Sequence, residues 1–413
     1  MFALVPSRAF VAAVHAIGTL AVYLTVLFAH FPDYFMHVGP LQRRSTRLAF
    51  LASGLAMAAW APLVPFAKSR LELGEADLGL LLLCLGAGSL MAMPAIGLMT
   101  ARFGCRLVML MAGVCVCLIL PALAYAPTPF ALGCALFGFG ASLGALDVAM
   151  NVQAVIVERA SGGALMSGFH GLFSVGGFVG AGVMAALLWL GLSPVLATVL
   201  VAAMVALVLL VGAPHFLREP EVADREAPVF VVPHGAVIFI GVLCFVCFLA
   251  EGAILDWSAL LLTSEQGMDA ARAGLGYAAF AVAMTVGRLT GDRVVARLGG
   301  KRVLLLGGLC AALGFFTAVM ATSVPLALLG FLLVGLGASN VVPILFTAAG
   351  NQQAMPAGLA IGAITTLGYA GILAGPAVIG FVAHASSLNL AFAGLGCAML
   401  LIAASARLGA SRS

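Results

Sequence analysis

From Arg47 to Arg407 the chain is a succession of apolar runs, each long enough to cross a bilayer, with short polar breaks between them. A spanning helix needs about 20 consecutive apolar residues. Hydrocarbon offers no partner to backbone N–H and C=O groups, so runs of this kind fold as helices that satisfy themselves. Hydrophobic residues make up 63% of the chain, charged ones only 8%, and 50 residues are glycine. That balance excludes an ordinary soluble domain and lets helix backbones approach closely. The nine cysteines lie almost entirely in apolar runs. Even the Cys244–Cys247 pair reads as small hydrophobes rather than metal ligands. There is no GxxxxGK[ST] stretch, so nothing points to ATP-driven pumping, a cofactor or an enzyme. The net charge of +4 is small and gives no reason to expect a nucleic-acid partner.

We read twelve core spans, with the polar stretch Pro214–His234 dividing six from six. The organisation is an amino-terminal extension over 1–42, a six-helix bundle over 43–213, a linker over 214–235 and a second bundle over 236–413. Residues 9–31 are apolar enough to span. They are either an extra helix or the product of a start upstream of Met36, and the residues leave both open. Arg43, Arg44, Arg47, Arg102, Arg106, Arg159, Arg218, Arg225, Arg293, Arg297, Lys301, Arg302, Arg407 and Arg412 fall on one side of these spans. Only Lys68, Arg70 and Arg272 fall on the other. Positive charge marks the cytoplasmic face, which places Arg43, the linker and the carboxyl terminus there.

The halves repeat at a shift of about 195 residues. Arg102-Phe103-Gly104-Cys105-Arg106 matches Arg297-Leu298-Gly299-Gly300-Lys301, and Gly176 and Gly180 match Gly371 and Gly375. Gly138-Phe139-Gly140-Ala141-Ser142 matches Gly335-Leu336-Gly337-Ala338-Ser339 at a shift of 197. A duplicated six-helix unit is the pattern of secondary transporters, which carry their binding site near the membrane midplane.

On these residues the chain resembles the major facilitator superfamily from Arg47 to Arg407. The superfamily's loop between its second and third helices reads GxxxD(R/K)xG(R/K)(R/K). Gly97, Arg102, Gly104 and Arg106 fit that pattern, while Ala101 stands where the family has a gating acid. The second half keeps Gly287, Arg288, Asp292, Arg293, Arg297, Gly299 and Lys301. Asp147-Val148-Ala149-Met150-Asn151 is similar to the acid-x-x-x-Asn stretch of the fucose permease group of sugar/proton symporters. The resemblance implies Asp147 as proton carrier, with Asn151 and His170 beside it. That group also uses an acid on its first helix, and Trp60-Ala61-Pro62-Leu63-Val64-Pro65 has none, which argues against fucose itself.

The polar residues buried in apolar helix carry the chemistry. Ionisable groups in hydrocarbon are costly and face a bundle interior or a wet cavity. Asp147 and Asn151 are four apart and project from one helix face, as do His170 and Ser174. A carboxyl taken out of water favours its protonated form, which suits Asp147 and Glu251 to proton coupling; a structural hydrogen bond is the plainer role. Asn151, His170 and Asn340 offer donors and acceptors to a polar substrate. Trp60, Tyr277 and Tyr369 offer walls, though plain packing explains aromatics as readily. Arg288 and Asp292, one turn apart, read as a gate pair, joined by Arg102, Arg106 and Arg297 in the loops.

The expectation is an all-α polytopic membrane protein with twelve core helices in two pseudo-symmetric six-helix bundles, the major facilitator fold. It works as a secondary transporter and a monomer in the bacterial inner membrane. Its partners are the lipid bilayer, protons and a small-molecule substrate, taken up as a small polar compound such as a sugar. The alternative is a proton-coupled antiporter exporting a drug or metabolite.

Overall fold

The computed structural model describes residues 38–218, 233–269 and 272–409. The extra helix expected within 9–31, and linker residues 219–232, lie outside the described residues. The described chain is helical throughout, with no strand. In order, α1 is Pro40–Ala59, α2 Val64–Arg70, α3 Glu75–Tyr125, α4 Pro129–Ser161, α5 Met166–Trp189 and α6 Pro194–Gly212. Then follow α7 Ala236–Ser264, α8 Leu275–Leu298, α9 Gly300–Val319, α10 Val324–Ala338, α11 Val341–Asn351, α12 Ala357–Ala385 and α13 Leu388–Gly409. Nine helical segments among the described residues are long and apolar enough to cross a membrane. One of them, α3, is two helices joined at a bend, and α8 and α13 complete the twelve spans expected.

Proline explains two breaks. Pro62 and Pro65 follow Trp60, and the chain passes through a 3₁₀ turn at Ala61–Leu63 before resuming as α2. At Ser339–Asn340 the span made of α10 and α11 is interrupted. Pro343 has no N–H, so the Ser339 carbonyl one turn earlier loses its helical partner.

The repeat is built into the backbone. Gly104, which bends α3, has φ 76° and ψ 158°; Gly299, between α8 and α9, has φ 79° and ψ 150°. This region is essentially restricted to glycine. The rare dihedrals recur at the 195-residue shift.

Close helix packing recurs in the same way. A Cβ on Gly176 would overlap the carbonyl of Leu51, and one on Gly371 would overlap that of Phe245. Gly140 likewise meets the carbonyl of Leu85, and Gly335 that of Phe280. The contacts thus pair Gly140 with Gly335, at 195 rather than at the 197 of the local sequence match. Small residues at these crossings let backbones touch, which is how helices associate where lipid removes the hydrophobic drive.

The described chain divides into two compact units. The first takes 38–92, Phe103–Gln153 and 173–218; the second takes Met93–Arg102, Ala154–Leu172 and the described residues from 233 onward. In the first, Gln153 is a buried brace: its amide donates to Thr46 Oγ1 and accepts from the Leu217 amide, both at 3.0 Å. In the second, Gly97 lies against Gly358 in the first turn of α12.

Candidate functional site

In the first unit, Asp147 and Asn151 sit one turn apart on α4, both buried. The Asn151 amide donates to the Asp147 carbonyl at 2.9 Å and to Asp147 Oδ1 at 3.3 Å. The four-residue spacing produces this directly, since such side chains are neighbours on a helix. Asn151 Oδ1 is buried without a hydrogen-bond donor among the described residues. Trp60 is buried at the end of α1, and its indole N–H likewise has no acceptor.

The second unit holds a larger polar cluster. Arg288 on α8 is buried and pairs through Nη2 with Glu251 Oε1 on α7 at 3.3 Å. Its Nε donates to the Ser339 carbonyl at 3.4 Å, the acceptor that Pro343 leaves over. Asn340 donates to the Gly287 carbonyl at 3.2 Å and to Ser339 Oγ at 3.0 Å, while its Oδ1 has no donor among the described residues. The approach requires Gly287 and Gly291 on α8, where a Cβ would overlap Ser339 Oγ and Asn340 Oδ1. His170 is buried edge-on to Phe346, with ring centroids 5.6 Å apart. Tyr277 is uncovered on α8, and Tyr369 is half-buried beside Phe248 at 6.2 Å.

Arg288, read from spacing as the partner of Asp292, forms an ion pair with Glu251, on a different helix. Asp292 Oδ1 itself accepts from the Gly168 amide at 2.9 Å. Arg102 and Arg297 are exposed, whereas Arg106 is buried and its backbone amide donates to the Leu217 carbonyl at 2.8 Å.

Sequence reading missed Glu158. It is buried at the end of α4, and Oε2 accepts from the amides of Leu165 and Met166, both at 2.7 Å. Its Oε1 accepts from the Thr347 hydroxyl. Next to it, Arg159 donates to Asn351 Oδ1 at 2.7 Å. The available signal was an acid just ahead of Gly162-Gly163 and a new helix, since carboxylates settle at helix amino termini.

A family model for the Major Facilitator Superfamily matches residues 47–351. The chain belongs to that superfamily. It is 59% identical to an uncharacterised MFS-type transporter of Yersinia pestis, over 89% of this chain and 96% of the relative. An uncharacterised transporter of Sinorhizobium fredii is 34% identical over 87% of this chain and 96% of its own length. Among solved structures, the fucose:proton symporter of E. coli superposes with a TM-score of 0.75 at 18% identity, over 90% of this chain and 98% of that one. At that identity the likeness speaks for the fold. The superfamily member described here is accordingly a multi-pass membrane transporter rather than an enzyme.

Proposed function

We propose that this transporter takes up a small polar compound, such as a sugar, together with protons across the bacterial inner membrane. The observation that carries the reading is the buried Asp147–Asn151 pair in the middle of an apolar helix. A carboxylate so placed with one neutral partner is poorly compensated when charged, and a proton relieves it. Asp147 is the proton carrier, with Glu251 as the second. Asn151, His170, Asn340, Trp60, Tyr277 and Tyr369 bind substrate, and the break at Ser339–Asn340 supports this, because interrupted helices supply transporter sites. Arg102, Arg106, Arg288, Asp292 and Arg297 gate the cytoplasmic side, where the linker and carboxyl terminus lie. The symporter named by the fold comparison adds support for proton coupling. Coupling arises because proton and substrate each bind one conformation better than the other.

Reconstitution into proteoliposomes with an inward proton gradient tests the reading. Accumulation of a polar solute with alkalinisation outside is the expected result. Gradient-driven expulsion of an apolar compound would instead establish the antiporter alternative.

A further inference from the structure

We infer that residues 213–218, the stretch that follows α6, form a strap that positions the loop between the second and third spans, with Gln153 as the residue that seats it. The inference rests on the gating role proposed above for Arg106 and extends it to residues that role does not name.

A connecting segment ordinarily runs over the surface with its backbone turned to water. This one is built in. Phe216 is fully buried and Leu217 nearly so. A Cβ placed on Gly212 would lie 3.0 Å from the Phe216 ring, so the ring folds back over the end of α6. The backbone that follows is paired with elements distant in the chain. The His215 carbonyl accepts from Ser45 Oγ on α1 at 3.0 Å. The Leu217 amide donates to Gln153 Oε1 on α4 at 3.0 Å, and the Leu217 carbonyl accepts from the Arg106 amide on α3 at 2.8 Å. The Arg218 carbonyl reaches the bend itself, where a Cβ on Gly104 would overlap it. One short segment thus fastens the ends of three helices, none of them its neighbour in sequence.

Gln153 is the keystone of this arrangement. It is wholly buried, with its amide nitrogen on Thr46 Oγ1 of α1 and its amide oxygen on the strap. Without it a buried N–H loses its acceptor, which costs more than the bond itself contributes.

Two observations connect the strap with gating rather than with packing alone. The loop it meets has Ala101 where the superfamily keeps a gating acid, so that hold is missing and the strap supplies another. The anchors of the strap also stand at the edge of the first unit: the chain enters that unit at Phe103 and leaves it at Gln153. Movement of one unit against the other is absorbed by a few residues at such crossings. The amide and carbonyl of Leu217, bound to Gln153 and Arg106, hold both crossings at once.

The test uses the full chain in membrane vesicles and two of its own cysteines. Cys105, buried, lies between the two residues of α3 that the strap meets; Cys247, also buried, lies one turn from Glu251. A membrane-impermeant maleimide is applied from either side and the labelled peptides are mapped. Gln153→Met keeps the length of the side chain and removes both of its bonds. From the side of the strap, this variant should label about tenfold faster than the wild type at Cys105 and at Cys247 alike. Ser45→Ala removes the bond to His215 without touching α4, and should act in the same direction to a smaller extent. It carries the test if Gln153→Met folds poorly. Faster labelling at Cys105 alone would mean that the strap only packs the corner, and would overturn the inference. Unchanged labelling at both cysteines would overturn it as well. In either case, a Cys247 that the probe reaches in the wild type leaves the transport reading standing. If the probe reaches Cys247 from neither side in any of these proteins, the transport reading fails and the inference with it.

Discussion

Asp292 on α8 accepts a hydrogen bond from the amide of Gly168, in the first turn of α5, at 2.9 Å. At the 195-residue shift Asp292 corresponds to Gly97, which lies against Gly358 in the first turn of α12. Equivalent positions in the two repeats thus meet the first turns of equivalent helices, one through backbone and the other through a carboxylate. A carboxylate at a helix amino terminus is worth about 0.3–1 kcal/mol, and up to about 2 where partly buried. Asp292→Asn should lower thermal stability by about 1 kcal/mol. Gly168→Ala should act in the same direction without altering the acid, because its Cβ would overlap Asp292 Oδ2. Unfolding of both purified variants checks this, and an unchanged melting temperature in both would show the contact to be idle.

Glu158 ties down the start of α5 from the other side. Glu158→Ala removes the acceptor of two amide bonds and of the Thr347 hydroxyl, and should cost about 2 kcal/mol. Glu158→Gln keeps a neutral acceptor and should lose less. Comparing the two melting temperatures separates the charge from the hydrogen bonds.

Arg288 and Glu251 form a pair that should not be halved. Arg288→Ala leaves a carboxylate in apolar helix and should destabilise by about 3–5 kcal/mol. The double change Arg288→Met with Glu251→Leu should recover most of that, yet leave no transport. Recovery of stability together with transport would mean that the pair is a structural prop.

For Asp147 the expected result is kinetic. Asp147→Asn should still exchange substrate across proteoliposomes, but a proton gradient should no longer drive accumulation. Retained uphill uptake at wild-type rate would move the coupling to Glu251 alone.

The twin glycines give an internally controlled comparison. Alanine at Gly104 or Gly299 is forced into strained backbone at about 1–3 kcal/mol. At Gly104 the new Cβ also overlaps the Arg218 carbonyl, whereas at Gly299 it meets nothing within 4 Å among the described residues. Gly104→Ala should therefore be the more damaging, as measured by folded yield and melting temperature.

The spans, the repeat and the bends were legible because each is written locally. A bilayer fixes run length, and glycine is nearly compulsory at the dihedrals of Gly104 and Gly299. The Asp147–Asn151 pair was legible too, since four residues is one helical turn. Contacts between distant elements were not. Spacing led from Arg288 to Asp292, its neighbour in sequence, and gave no hint of Glu251, thirty-seven residues away. Nor did it reveal that Pro343 would free the Ser339 carbonyl for that arginine. Glu158 looked like one more polar residue in a short hinge, because the amides it accepts from exist only once α5 has begun.

The duplicated bends share their dihedrals but not their surroundings. Beside Gly104, the chain leaving α6 lies across the corner, with the Leu217 carbonyl on the Arg106 amide. At Gly299 a Cβ would meet nothing within 4 Å among the described residues. The corner at Gly104 is thus fastened from outside its own helix, by backbone of the segment that leaves the first six spans. Amide hydrogen exchange would read this directly, with slow exchange at residue 106 that speeds up when the segment after α6 is loosened. A joint tied to the chain that follows its bundle can be stiffened or freed from a distance, without any change in the glycine that makes it.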